Sequence, residues 1–163
     1  MAFEKKCYLW KNAFERLSII EAMTPLYAQD HDYSKYLVLA VDDIPLNLLL
    51  VQKMLAKFNF RLKTAANGQQ ALDAVAAEKP DLILLDLMMP GIDGFEVIRR
   101  LRADPETADI QIVILSALNS NEDVVKGFNV GANDFIMKPI IMEKLLSCVV
   151  TQMQLVEAKA AAK

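Results

Sequence analysis

Hydrophobic and polar positions follow two rhythms along this chain. Four short apolar runs each end on a polar residue: Tyr36 to Val41 before Asp42 and Asp43, Leu82 to Leu85 before Asp86, Ile112 to Leu115 before Ser116, and Phe135 to Met137 before Lys138. Nearly continuous Val, Ile and Leu is the pattern of strands buried on both faces of a parallel sheet. Between these runs the apolar positions recur at helical spacing. Leu46, Leu49, Leu50, Met54 and Phe58 mark a helix over 45–58, with Pro45 suited to its first turn. Phe60 to Ala65 alternates apolar with polar, as a strand at a sheet edge does, and Asn67 with Gly68 supplies a turn. Gln69 to Glu78 predicts a second helix, stopped by Pro80, and Phe95 to Ala103 a third, after the loop Met89 to Gly94. Glu122 to Asn129 predicts a fourth, closed by Gly131. The last starts near Met142 and carries the stripe Leu145, Leu146, Val149, Val150 and Met153. Strand and helix thus alternate over 36–157. This predicts an α/β domain: a doubly wound, five-stranded parallel sheet whose right-handed crossovers put helices on both faces.

Residues 1–35 stand outside that alternation. Phe3, Cys7, Trp10, Phe14, Leu17 and Ile20 lie three or four apart, which predicts an N-terminal amphipathic helix with one aromatic face, ended by Thr24 and Pro25. Gln29 to Lys35 reads as a polar linker. Such a face needs cover, and docking on its own domain or self-association is expected ahead of a dedicated partner. Residues 158–163, mostly Ala and Lys, are expected to fray.

Composition narrows the function classes. A net charge of −3 and a pI near 5.2 argue against a general nucleic-acid binder, which needs clustered Lys and Arg. Cys7 and Cys148, one near each end, have no metal-ligand spacing, so a reducing cytosol is the expected compartment. No secretory pattern occurs and no window approaches about 18 uninterrupted apolar residues, so membrane insertion is not expected.

Parallel strands present their C-terminal ends at one edge, where open α/β sheets bind ligands. Asp86 is expected to expose its carboxylate there and, as a nucleophile, to form an acyl phosphate. Taken alone it reads equally well as a turn residue before Pro90. Asp42 and Asp43 shift the balance, because acids facing a third acid repel by ~1 to 4 kcal/mol per pair at contact distance. A cation should sit among them. Mg²⁺ suits such oxygen ligands, with the backbone carbonyl near Met88 as a further donor, and would clamp a phosphoryl group during in-line transfer. Lys138, before Pro139, would pair with Asp86 or with phosphoryl oxygens, and Ser116 offers a hydroxyl to another of those oxygens. Each residue is a weak signal alone; their joint placement at four strand ends is not.

The stretches Val41-Asp42-Asp43, Leu85-Asp86-Leu87-Met88-Met89-Pro90-Gly91-Ile92-Asp93-Gly94, Leu115-Ser116-Ala117 and Lys138-Pro139 resemble, in type and spacing, a receiver domain of a two-component response regulator over residues 36–157. The resemblance implies a flavodoxin-like fold with strand order 2-1-3-4-5. It also implies Asp86 as phosphoacceptor, Asp42, Asp43, Asp86 and the Met88 carbonyl around Mg²⁺, Lys138 on the phosphoryl group, and a switch made of Ser116 and Phe135. Met88 and Leu118 match positions that set the lifetime of the phosphorylated state; both are apolar and cannot orient a hydrolytic water, so a long-lived state is expected. Asn47 resembles a residue carried by receivers of hybrid kinases. The implied output is a change in the surface of the fourth helix, last strand and fifth helix. Implied partners are a sensor histidine kinase or histidine phosphotransfer protein, a downstream protein target, and a second copy of the chain.

Other readings compete less well. An aspartyl-nucleophile phosphohydrolase would carry a second Asp two residues after the nucleophile, where this chain has Met88, and the one histidine, His31, lies in the linker. A nucleotide or flavin binder would want glycine in its first turn, which here is Asp43-Ile44-Pro45. The receiver half of a transcription factor or hybrid kinase is a further alternative. A phosphoacceptor, rather than an enzyme, is expected.

Overall fold

The computed structural model describes residues 32–118 and 120–162. The chain divides into two units, Met1–His31 and Asp32–Lys163; the N-terminal helix expected on Phe3 to Ile20 lies outside the described residues. In the second unit the strands are β1 Leu37–Val41, β2 Arg61–Ala65, β3 Leu82–Leu85, β4 Gln111–Ser116 and β5 Asp134–Met137. The helices are α1 Pro45–Leu55, α2 Gly68–Ala77, α3 Gly94–Ala103, α4 Asn121–Asn129 and α5 Met142–Ala161. All strand pairs are parallel and the order is β2-β1-β3-β4-β5, the doubly wound sheet expected from the alternation.

The apolar runs become strands because burial on both sheet faces selects branched aliphatic side chains. Every residue of β1, β3 and β4 is buried. Leu82 to Leu85 are each 0% exposed, and removing such a side chain from water is worth about 1.5–3 kcal/mol. β5 departs from this: it is the second edge strand, and only Ile136 is buried while Met137 is 53% exposed.

The helix boundaries differ at specific places. Pro45 opens α1 as expected, but the buried face is Val51, Met54 and Leu55, while Leu46, Leu49 and Leu50 point to solvent. The helix is apolar nearly all round, so spacing alone does not fix its phase. Gly68 is the first residue of α2 rather than part of a turn, and the side chain of Asn67 caps the helix by accepting from the Gln70 N–H at 2.9 Å. A Cβ on Gly68 would lie 2.3 Å from the Ile92 carbonyl oxygen, so helix and loop approach too closely for a side chain. α5 continues through Ala161 instead of stopping at 157, as befits a run of alanines, the strongest helix former. At the other end, Tyr33 belongs to the domain and not to a linker: it sits in a 3₁₀ turn, is buried, and packs on Phe60 with ring centroids 4.8 Å apart. No helix among the described residues is long and apolar enough to cross a membrane.

Candidate phosphoryl-acceptor site

Backbone ladders bring the strand ends together. The Asp86 N–H donates to the Val41 carbonyl at 2.9 Å, so the residues that follow β1 and β3 become neighbours. The Lys138 N–H donates to the Ser116 carbonyl at 2.9 Å, which does the same for β4 and β5. Carboxylate oxygens of Asp42, Asp43 and Asp86 consequently lie within 4.8 Å of one another, a donor set that can hold a metal ion. Hard carboxylate oxygens at this density suit Mg²⁺.

Lys138 bridges two members of this acid cluster. Its Nζ lies 2.7 Å from Asp42 Oδ2 and 3.5 Å from Asp86 Oδ2. Asp42 and Asp86 are buried, with Asp43 the more open of the three. Asp86 is 4% exposed, and not the open carboxylate expected from its place at the sheet edge. Burial pushes its carboxyl above the usual carboxylate range; Lys138 and the Met88 N–H oppose that rise and Asp42 adds to it.

The loop after Asp86 is shaped by its glycines and one cap. Gly91 has φ +78°, which a side chain rarely tolerates, and a Cβ on Gly94 would lie 2.4 Å from the Asp86 carbonyl oxygen. Asp93 caps α3 by accepting from the Glu96 N–H at 2.8 Å. Met88 is carried outward on this loop, 60% exposed, whereas Leu118 is half-buried against the core. These two side chains flank a groove of about 630 Å³ with Pro90, Asp93 and Lys126.

Ser116 is fully buried and its Oγ accepts from the Leu118 N–H at 3.2 Å. Phe135 is half-buried against the core cluster and borders a 230 Å³ cavity with Val124, Phe128, Ile136, Met137 and Lys144. That cavity lies among α4, β5 and α5. The peptide between Lys138 and Pro139 is cis.

Two features went unassigned by sequence reasoning. Asn47 donates from Nδ2 to both oxygens of Asp42, at 3.1 and 3.0 Å. Arg102, which carries no sequence signal beyond its charge, holds the Gly131 carbonyl at 2.9 Å, the Ala108 carbonyl at 3.0 Å and Asn133 Oδ1 at 2.9 Å. Asn133 Oδ1 also accepts from the Ile112 N–H at 2.8 Å, so the network braces the connection between α4 and β5 from below.

The chain is similar to known proteins over the same region. The family model described as the response regulator receiver domain matches residues 38–150. Response regulator PleD of Caulobacter vibrioides is 45% identical over 103 residues, which cover 63% of this chain but only 23% of PleD. Protein PilH of Pseudomonas aeruginosa is 36% identical over 112 residues, covering 69% of this chain and 93% of PilH. Among solved structures, Vibrio cholerae chemotaxis protein CheY4 superposes with a TM-score of 0.66 at 32% identity, covering 70% of this chain and 95% of CheY4. With its sheet order, its acid cluster and a match across most of its length, the chain belongs to the response regulator receiver domain family.

Proposed function

We propose that this protein is a phosphoacceptor of a two-component or phosphorelay system, with Asp86 as the residue modified. The observation that carries this reading is the convergence of Asp42, Asp43, Asp86 and Lys138 at one edge of the sheet. A carboxylate oxygen of Asp86 attacks the donor phosphorus. The bond from phosphorus to the donor nitrogen or oxygen breaks, the leaving group keeps the electron pair, and an acyl phosphate remains on Asp86. Mg²⁺, held by Asp42, Asp43, Asp86 and the Met88 carbonyl, would supply positive charge against the phosphoryl oxygens. Lys138 sits 3.5 Å from Asp86 and can move its ammonium from the carboxylate to a phosphoryl oxygen with a small change of rotamer.

Ser116 and Phe135 form the switch. The Ser116 Oγ accepts one hydrogen bond, which leaves its own proton to donate to a phosphoryl oxygen. Phe135 lies beside the 230 Å³ cavity, which gives its ring room for a second rotamer. Exposed Val125, Phe128 and Met137 lie on α4 and β5, so a ring movement there alters a partially apolar surface. The partners of this reading are a sensor histidine kinase or histidine phosphotransfer protein upstream, and a protein target or a second copy downstream. It places the protein in the cytoplasm, as a signalling module rather than a turnover enzyme. Apolar Met88 and Leu118 leave no side-chain hydrogen bond for a hydrolytic water, which favours a long-lived acyl phosphate.

The test is incubation with Mg²⁺ and acetyl phosphate, followed by intact mass spectrometry of the wild type and Asp86→Asn. The reading requires a phosphoryl-sized mass gain in the wild type alone, abolished by a chelator. An equal gain in Asp86→Asn, or none in the wild type with any small phosphodonor, would refute it.

A further inference from the structure

Asp42 is held by donors of two kinds. The Ile44 N–H reaches its Oδ1 at 2.8 Å, the Asn47 amide reaches Oδ1 at 3.1 Å and Oδ2 at 3.0 Å, and the Lys138 ammonium reaches Oδ2 at 2.7 Å. The first two are neutral and the third is a cation. A carboxylate offers about four lone-pair sites, so this one is saturated. A divalent ion arriving at Oδ2 meets Lys138 as a like charge and as a rival for the same lone pairs, and Lys138 has Asp86 Oδ2, 3.5 Å away, as an alternative partner. Asn47 and Ile44 have no charge to repel the ion and no alternative acceptor shown, so they stay.

We infer that Asn47 is a positioning residue for metal binding: its amide holds the Asp42 carboxylate in place while Lys138 is exchanged for a cation. The inference rests on the proposed phosphoacceptor reading and concerns a residue outside the acid cluster itself. Asn47 is suited to the task because its backbone is fixed. It is the third residue of α1, and its own N–H donates to the Ile44 carbonyl at 3.0 Å, so loop, helix start and carboxylate form one closed unit. Asn offers two amide protons on a short side chain, whereas a longer side chain at this position would lose rotamer entropy on every contact. Without the amide, Asp42 keeps a single neutral donor and turns toward Lys138. The cation then meets both a poorly aimed ligand and a more strongly held competitor. Both effects weaken the metal, by roughly tenfold if Asn47 behaves like other residues that orient a ligand from behind.

The experiment is calorimetric titration of the unphosphorylated full chain with MgCl₂, for the wild type and Asn47→Leu, which keeps the branched shape and removes the donors. Asn47→Ala, a good helix former at the same site, serves if the leucine variant does not fold by circular dichroism. The expected result is a Mg²⁺ dissociation constant raised roughly tenfold. In parallel, the Mg²⁺ concentration needed for half-maximal acetyl phosphate labelling should rise by the same factor, with the rate at saturating Mg²⁺ within about twofold of wild type. An unchanged dissociation constant, or a lower saturating rate at an unchanged Mg²⁺ requirement, overturns the inference while wild-type labelling leaves the phosphoacceptor reading standing. A wild type that neither binds Mg²⁺ nor is labelled overturns both.

Discussion

Replacing Asp86 by Asn should stabilise the fold at neutral pH. At an effective dielectric near 20, charges 4.8 Å apart repel by about 3 kcal/mol, and Asp86 faces two such carboxylates. Its attraction to Lys138 at 3.5 Å is worth about 5 kcal/mol on the same scale. The more open Asp43 is screened, which trims the repulsion, while the cost of burying Asp86 adds to it. Lys138 keeps its 2.7 Å partner Asp42 in the variant. The balance is a gain of about 1–2 kcal/mol for Asp86→Asn. The pH dependence follows from the raised carboxyl of Asp86. A carboxyl raised by folding binds its proton more tightly in the folded state, so the wild type carries the full penalty above the folded value and loses it as pH falls toward the unfolded value of about 4. The advantage of the variant should therefore be larger at pH 7.5 than in acid, shrink as pH falls through the raised value, and vanish below the unfolded value of about 4. Urea unfolding followed by circular dichroism at several pH values measures it. A variant no more stable than the wild type at pH 7.5, or a gain that grows on acidification, would refute the electrostatic reasoning.

Three further outcomes are expected. Gly94→Ala places a Cβ 2.4 Å from the Asp86 carbonyl and 2.8 Å from Leu87 Cα, both backbone, and should cost about 3 kcal/mol in urea unfolding; a loss below about 1 kcal/mol would mean that the loop yields freely. Arg102→Lys cannot span three acceptors with one ammonium, and should lose about 1–3 kcal/mol by thermal or chemical unfolding, where a neutral result would show the network to be idle. Met88→Asn gives the loop a polar side chain beside the proposed acyl phosphate and should speed loss of label from the purified protein several-fold. Rapid loss already in the wild type, unchanged by the substitution, would contradict the long-lived state.

The parts of this fold legible in the sequence are those where burial is two-sided. β1, β3 and β4 had to be apolar throughout, so their runs stood out and their ends pointed to Asp42, Asp86 and Ser116. Where burial is partial, the signal blurred. α1 is apolar on most of its circumference, so its inward face was misplaced by about a quarter turn, with Met54 common to both faces, and β5 read as fully buried although it forms an edge. Tyr33 was hidden among polar neighbours; its spacing of three from Tyr36, with Phe60 distant in sequence, gives no local cue to the packing that buries it. The carboxylates and lysine of the site were visible because their chemistry is unusual at strand ends. Their burial was not, since Asp42, Asp86 and Lys138 come together from separate parts of the chain. Asn47 was visible only through resemblance. The hydrogen bonds to Asp42 depend on the α1 turn bringing a residue five positions away back onto the strand end, a relation that neither period two nor period 3.6 announces.

The most direct test of the central claim is to locate the modification. The protein would be treated with Mg²⁺ and acetyl phosphate and reduced at once with borohydride, which converts an aspartyl phosphate to homoserine. It would then be digested and sequenced by mass spectrometry. The account predicts homoserine at position 86 and at no other aspartate, with Asp42 and Asp43 intact and no conversion when Mg²⁺ is chelated. Homoserine at Asp42 or Asp43 in place of Asp86, or a stable phosphoryl adduct that borohydride does not reduce, would contradict it.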